Sequence, residues 1–228
     1  MHMNIAVAVP DVAKASASPA MLVLDNLICR FGTIQAVDGA SLRIQPGEHV
    51  AITGANGSGK STLLRAILGF HTDVSGRISV DGEVAQSAEE WRQRRERVAW
   101  MPQRQAKGRF PLLVRELLES SGNSSAAIEA ATRLGVGQLL DRPLHTLSGG
   151  QLQRSFLSRA LGAVANHSGL LLADEPTAAL DFDGQRAVAE ELAALPVSLL
   201  VVTHDRAVAQ RCDRVLEMAG GQLREVRA

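Results

Sequence analysis

Lys60 and Ser61 stand at the end of a glycine-rich run, Gly54-Ala55-Asn56-Gly57-Ser58-Gly59-Lys60-Ser61-Thr62. The spacing Gly54-x-x-x-x-Gly59-Lys60-Ser61 is the phosphate-binding loop, or Walker A pattern. Its chemistry follows from the residue types. Glycines admit backbone conformations closed to other residues and let the chain come close to an anion. Successive N–H groups then surround phosphate oxygens, and the positive end of a following helix adds to the attraction. Lys60 has the reach and charge for the β- and γ-phosphates, and the Ser61 hydroxyl is a ligand for Mg²⁺. Gly54, Asn56, Gly57, Ser58, Gly59, Lys60, Ser61 and Thr62 are the expected nucleotide contacts.

A second chemical centre lies downstream. The continuous apolar run 169–173 ends in Asp174-Glu175. Such a run reads as a strand buried on both faces of a parallel sheet, and ligands bind at the C-terminal ends of such strands. Asp174 is placed to hold Mg²⁺ through water. Glu175, pointing elsewhere, is suited to polarise an attacking water, a role worth roughly 10²- to 10⁴-fold in rate. An acidic pair could instead cap a helix. Residues 196–203 form another apolar run, ending at His204-Asp205. Phe31, after the first strand, could stack on an adenine ring or serve as a plain hydrophobic plug.

These residues need elements to carry them. Residues 21–29 alternate as a strand does, and 40–44 and 49–53 flank the turn Gln45-Pro46-Gly47-Glu48. Together they suggest a small antiparallel sheet leading into the strand before the phosphate loop. Residues 60–70 form an amphipathic helix, 76–82 a short strand and turn, 91–97 an arginine-rich, solvated helical turn, and 98–101 a short strand. From 104 to about 147 strand signals vanish; 114–120 and 125–134 look helical around the polar linker 121–124. Residues 151–164 and 184–195 are helical, followed by a short helix at 206–211 and strands near 215–218 and 222–226. The expected fold is α/β: a P-loop NTPase core with an N-terminal antiparallel β subdomain and an inserted α-helical subdomain at about 104–147.

Composition excludes several classes. The 228 residues carry 24 Lys plus Arg against 24 Asp plus Glu, so the formal net charge is zero. That argues against nucleic acid as a partner, as do the absence of Tyr and the scarcity of other aromatics. Cys29 and Cys212 have no metal-ligand spacing and read as small buried hydrophobes in strands. No apolar run reaches the length of a membrane span. Residues 1–20 read as a loosely ordered extension, and 21–228 as one domain.

The motif set resembles the ATP-binding subunits of ABC transporters over almost the whole chain. Leu147-Ser148-Gly149-Gly150-Gln151 is identical to that family's signature motif; Gln103 resembles its Q-loop glutamine, Ala179-Leu180-Asp181 its D-loop and His204 its switch histidine. The resemblance implies ATP hydrolysis by a head-to-tail homodimer. Each ATP would meet Walker A of one chain and Ser148, Gly149, Gly150 and Gln151 of the other. The signature glycines open a helix, so they offer bare N–H groups to a phosphate, although alone they could be only a helix cap. By the same resemblance Gln103 senses Mg²⁺ and the attacking water, and His204 contacts the γ-phosphate. Taken alone, Gln103 is a turn residue and His204 a strand-end histidine. Phe31 stands where the family usually has Tyr. Each motif occurs once, so the chain must pair.

The resemblance further implies a separate integral membrane permease, docking its coupling helix along 103–114. The chain would lie peripherally on the cytoplasmic side of the inner membrane. Pro102-Gln103-Arg104, Phe110-Pro111-Leu112-Leu113-Val114 and residues 180–185 look like importers of zinc or manganese, which work with an extracytoplasmic solute-binding protein. The chain ends without the His-rich tail of many zinc-type subunits. An exporter motor and a soluble, non-transport ABC ATPase are the alternatives.

Overall fold

The computed structural model describes residues 17–103 and 111–226. Two sheets organise the chain. The first is antiparallel, in the order β2 (Ile34–Ile44), β1 (Leu22–Phe31), β4 (Val74–Val80). The second has the order β5 (Val98–Met101), β6 (Leu170–Asp174), β7 (Ser198–Val202), β3 (His49–Thr53), β8 (Arg214–Ala219), β9 (Gln222–Glu225). Every neighbour pair in it is parallel except β8–β9. Burial follows the sheet type. All five residues of β6 and of β7 are buried, as strands covered on both faces must be, whereas β1 and β2 alternate.

Residues 49–53 do not belong to the antiparallel sheet; they form β3, central in the parallel one, and the third antiparallel strand is β4. The Pro46-Gly47 turn therefore carries the chain from one sheet to the other. Its geometry is held by Ser198, whose hydroxyl accepts the Gly47 N–H at 2.9 Å and donates to the Ala20 carbonyl at 2.6 Å.

Helix α1 (Lys60–Ile67) follows β3 and buries Leu63, Leu64 and Ile67 in the core shared by the two sheets. It ends where Gly69 takes φ 73°, short of the expected residue 70. Helix α2 (Ala88–Arg97) begins at a capping box between Ser87 and Glu90. It is not wholly solvated: Arg94 is buried and donates to the Glu83 carbonyl at 2.8 Å.

Helices α3 (Val114–Glu119) and α4 (Ser124–Arg133) pack with the long α5 (Gly149–Ala165) around Val114, Leu118, Ala127, Ala131 and Leu152. Sequence placed helices at 114–120 and 125–134, and α3 and α4 lie there; residues 104–110, which would open the expected helical subdomain, lie outside the described residues. Helices α6 (Phe182–Ala193) and α7 (Arg206–Ala209) pack with α5 on the face of the parallel sheet opposite α1.

Ala17 and Ala20, assigned from sequence to a loose extension, are buried. The Ala20 N–H donates to the Gly169 carbonyl at 2.9 Å, so 17–20 belong to the packed body. Residues 1–16 lie outside the described residues. Cys29 is buried in β1, but Cys212 is half-buried in the turn after α7, not in a strand.

Candidate functional site

Parallel pairing aligns four strand ends along one edge. β3 runs into the phosphate loop, β6 ends at Asp174, β7 leads to His204, and β5 leads to Gln103. This is the crevice in which ligands of open α/β sheets sit. A cavity of about 480 Å³ occupies it, lined by Phe31, Ala36, Asn56, Gly57, Gly59, Lys60, Ser61, Thr62, Gln103, Asp174 and Glu175. An adjoining cleft of about 520 Å³ shares Asn56, Gln103 and Glu175 and adds Gln185, His204 and Arg206. A further cavity, about 560 Å³, lies elsewhere, between Phe70, Trp100 and Arg159.

The phosphate loop needs its glycines for contact, not only for flexibility. Gly54 has φ 133° and Gly59 φ 110°. A Cβ on Gly54 would run into the Met218 carbonyl oxygen, and one on Gly59 into that of Ala36. Strands β8 and β2 thus press on the loop from behind. Gly59 caps α1, whose first turn carries no acid, so its positive end faces the cavity uncompensated. Lys60, 7% exposed, lies along the loop and donates to the carbonyls of Gly54 at 2.6 Å and Ala55 at 2.9 Å. Burial pulls its pKa below the ordinary lysine value, against the opposing charges of Glu175 and Asp174.

The acidic pair is equally buried. Asp174 is 4% exposed; burial raises its pKa, and the hydrogen bond from Ser61 and the charges of Arg65 and Lys60 oppose that rise. Its Oδ1 is buried without a hydrogen-bond partner among the described residues. A buried carboxylate oxygen with nothing to bind, beside a serine hydroxyl, suits a hard cation that prefers oxygen ligands, and Mg²⁺ fits this donor set.

Glu175 sits one residue past the strand at φ 52°, a left-handed conformation that costs a non-glycine residue about 1–2 kcal/mol. Its backbone is pinned on both sides. Its N–H donates to the Val202 carbonyl at 2.8 Å, and its carbonyl accepts the Gln153 side-chain amide. The turn swings the carboxylate away from Asp174 and toward His204. The His204 N–H donates to Oε2 at 3.3 Å, and His204 Nε2 lies 3.2 Å from Oε1. Burial raises the Glu175 pKa; His204 and Lys60 oppose it. A carboxylate held this way can take a proton from water in the cleft. Gln153 was not singled out from sequence. Only its place two residues beyond the signature motif hinted at it.

The structure brings Phe31, Asn56, Gly57, Lys60, Ser61, Thr62, Gln103, Asp174 and Glu175 together; Gly54 and Ser58 form the loop behind that surface. It does not bring the signature motif to them. Ser148 and Gly149 are exposed at the start of α5 and line neither cavity. Gln151 is engaged at home: its N–H donates to Ser148 Oγ at 3.3 Å and its Oε1 accepts the Ser148 N–H at 3.0 Å. Gly150 lies against the Ala179 carbonyl, and Asp181 caps α6 by accepting the Gly184 N–H at 3.0 Å. Phe31 is 54% exposed.

A phosphate loop at the C-terminal edge of a parallel sheet, with a carboxylate at the tip of a neighbouring strand, defines a P-loop nucleoside triphosphatase. The family model described as ABC transporter matches residues 37–178, and the chain belongs to that family as an ATP-hydrolysing subunit. It is 37% identical over 204 residues to the zinc import ATP-binding protein ZnuC of Cereibacter sphaeroides, covering 86% of this chain and 78% of that one. It is 36% identical over 204 residues to the lipoprotein-releasing system ATP-binding protein LolD of Xanthomonas oryzae pv. oryzae, covering 83% and 82%. Among solved structures, the dimeric bacterial ABC transporter cassette MJ0796 superposes with a TM-score of 0.80 at 26% identity, covering 91% of this chain and 99% of that one. The same cassette is also known in a post-hydrolysis state bound to ADP and Pi. Among the described residues, no helix is long and apolar enough to cross a membrane.

Proposed function

We propose that the chain works as one half of a head-to-tail homodimer that drives import through a separate membrane permease. The observation that carries this reading is the divided site: Ser148 and Gly149 are exposed and Gly150 half-buried at a helix N-terminus, outside the cavity that gathers the other nucleotide-site residues. A second copy can supply those N–H groups to the γ-phosphate held by the first. In this reading Gly54, Asn56, Gly57, Ser58, Gly59, Lys60 and Thr62 hold the phosphates and Phe31 stacks on the base. Ser61, Asp174 and Gln103 hold Mg²⁺, which when bound neutralises charge on the transferring phosphoryl group. Glu175 takes the proton of the attacking water, and His204, at 3.2 Å, orients the carboxylate and reaches the γ-phosphate. Gln151 acts at one remove, by capping the helix that presents Ser148.

The coupling helix of the permease docks along the segment from Gln103 to Val114, of which 104–110 lie outside the described residues and Leu112 is exposed. The subunit is then peripheral on the cytoplasmic side of the inner membrane, and a solute-binding protein delivers the cargo outside. The cargo we propose is zinc or manganese, supported by the likeness to ZnuC and by the segment 180–185, of which Gln185 lines the cleft beside His204. The LolD relative keeps release from the membrane as the second reading. Reconstitution with the cognate permease and binding protein tests the cargo. ATP-driven uptake of zinc or manganese into vesicles is expected. Uptake of neither, with lipoprotein release instead, overturns the import reading.

A further inference from the structure

His71 belongs to none of the motifs, yet it touches the nucleotide site. Its ring meets that of Phe31 edge-to-face, centroids 4.6 Å apart and planes at 61°. Phe31 needs such support. It is the last residue of β1, at a hairpin turn through Gly32, paired with the exposed Ile34, and itself half-exposed over the cavity.

The segment carrying His71 is anchored independently of Phe31. Helix α1 starts at the phosphate loop and ends at Gly69, where the Trp91 ring occupies the space a Cβ would need. The Phe70 N–H closes onto the Arg65 carbonyl at 2.9 Å. Two residues past His71, the Asp73 carbonyl accepts the Arg30 N–H at 3.0 Å, and Cys29 pairs with Val74. Among the described residues, the buried His71 Nε2 has no hydrogen-bond partner. With Gly69, Val74 and Trp91, His71 also lines a separate cavity of about 470 Å³.

We infer that His71 is a positioning residue for nucleotide binding: it holds the Phe31 ring as the base-stacking surface and ties that surface, through α1, to the phosphate loop. The inference rests on the reading of Phe31 as the base platform. An edge-to-face pair is worth enough beyond its buried area to change a linked binding constant roughly two- to tenfold. The phosphates and the attacking water are not involved, so the turnover number should not move.

The test is a double-mutant cycle on the full chain. ATP affinity is measured by calorimetry, and KM and kcat by phosphate release. His71→Ala is expected to weaken ATP binding and raise KM roughly two- to tenfold with kcat unchanged. His71→Phe should restore the parental affinity. In a Phe31→Ala background, His71→Ala should have no further effect, because its effect passes through the missing ring. His71→Leu fills the space without a ring and replaces the alanine variant if that one does not fold. A fall in kcat at unchanged KM, or effects of Phe31→Ala and His71→Ala that multiply, overturns the role of His71 alone. Unchanged affinity in Phe31→Ala overturns the base-platform reading and this inference with it.

Discussion

Replacing Glu175 by Gln separates binding from chemistry. The two side chains have the same shape, so the amide can still accept the His204 N–H now donated to Oε2 at 3.3 Å and still face His204 Nε2 at 3.2 Å. The pinned backbone, held through Val202 and Gln153, is untouched. What is lost is the proton acceptor. Removing a general base costs roughly 10²- to 10⁴-fold in kcat, or about 2.7–5.5 kcal/mol of transition-state stabilisation. The substitution also removes a buried negative charge next to a polyanionic ligand, so ATP affinity should hold or improve. Phosphate release should therefore collapse in Glu175→Gln while calorimetry shows ATP binding at least as tight as in the parent. An ATP-dependent dimer should accumulate on size exclusion. Turnover within tenfold of the parent refutes the assignment of Glu175 as the base.

Three further outcomes follow from the same geometry. Burial raises the pKa values of both Asp174 and Glu175, so the folded state holds more protons than the unfolded chain at pH values just above the ordinary carboxylate range. Stability then falls as pH rises from the unfolded pKa through the folded one and stays reduced above it; Asp174→Asn should accordingly raise the melting temperature at pH 7 in Mg²⁺-free buffer, and a lower one contradicts this. Gly54→Ala forces a Cβ against the Met218 carbonyl oxygen at φ 133°, so denaturant titration should show a loss of roughly 1–3 kcal/mol together with loss of ATP binding. Burial pushes the Cys29 thiol up to about 11 and that of Cys212 to about 12, so a thiol reagent at pH 8 should label neither until the protein unfolds.

What could be read from sequence was what is local. A phosphate loop is contiguous, and the strands leading to Asp174 and His204 are unbroken apolar runs, so the loop, the acids and His204 stand out residue by residue. Signals that depend on distant partners were not. Nothing in residues 49–53 says that they join the parallel sheet rather than the antiparallel one, because a short strand with three apolar residues at its centre suits either. Arg94 sits in a run of charges that looks solvated; only the fold brings the Glu83 carbonyl to it. Ala17 and Ala20 are small residues in a weakly patterned segment, and their burial comes from Gly169 and Ser198, far along the chain. Gln153 holds the Glu175 turn across 22 positions, and His71 meets Phe31 across the sheet edge, with no spacing rule to announce either.

The divided site is tested most directly by mixing two disabled chains. Lys60→Ala removes the phosphate loop's charge but keeps the signature motif, and Ser148→Arg does the reverse. Each homodimer then lacks a complete site, whereas a mixed dimer contains one loop and one signature motif that are both intact. Neither variant alone should hydrolyse ATP, and an equimolar mixture should regain up to about a quarter of the parental rate, since half the dimers are mixed and each has one working site of two. Parental turnover by Ser148→Arg on its own would contradict the account, because the nucleotide site would then be complete within one chain.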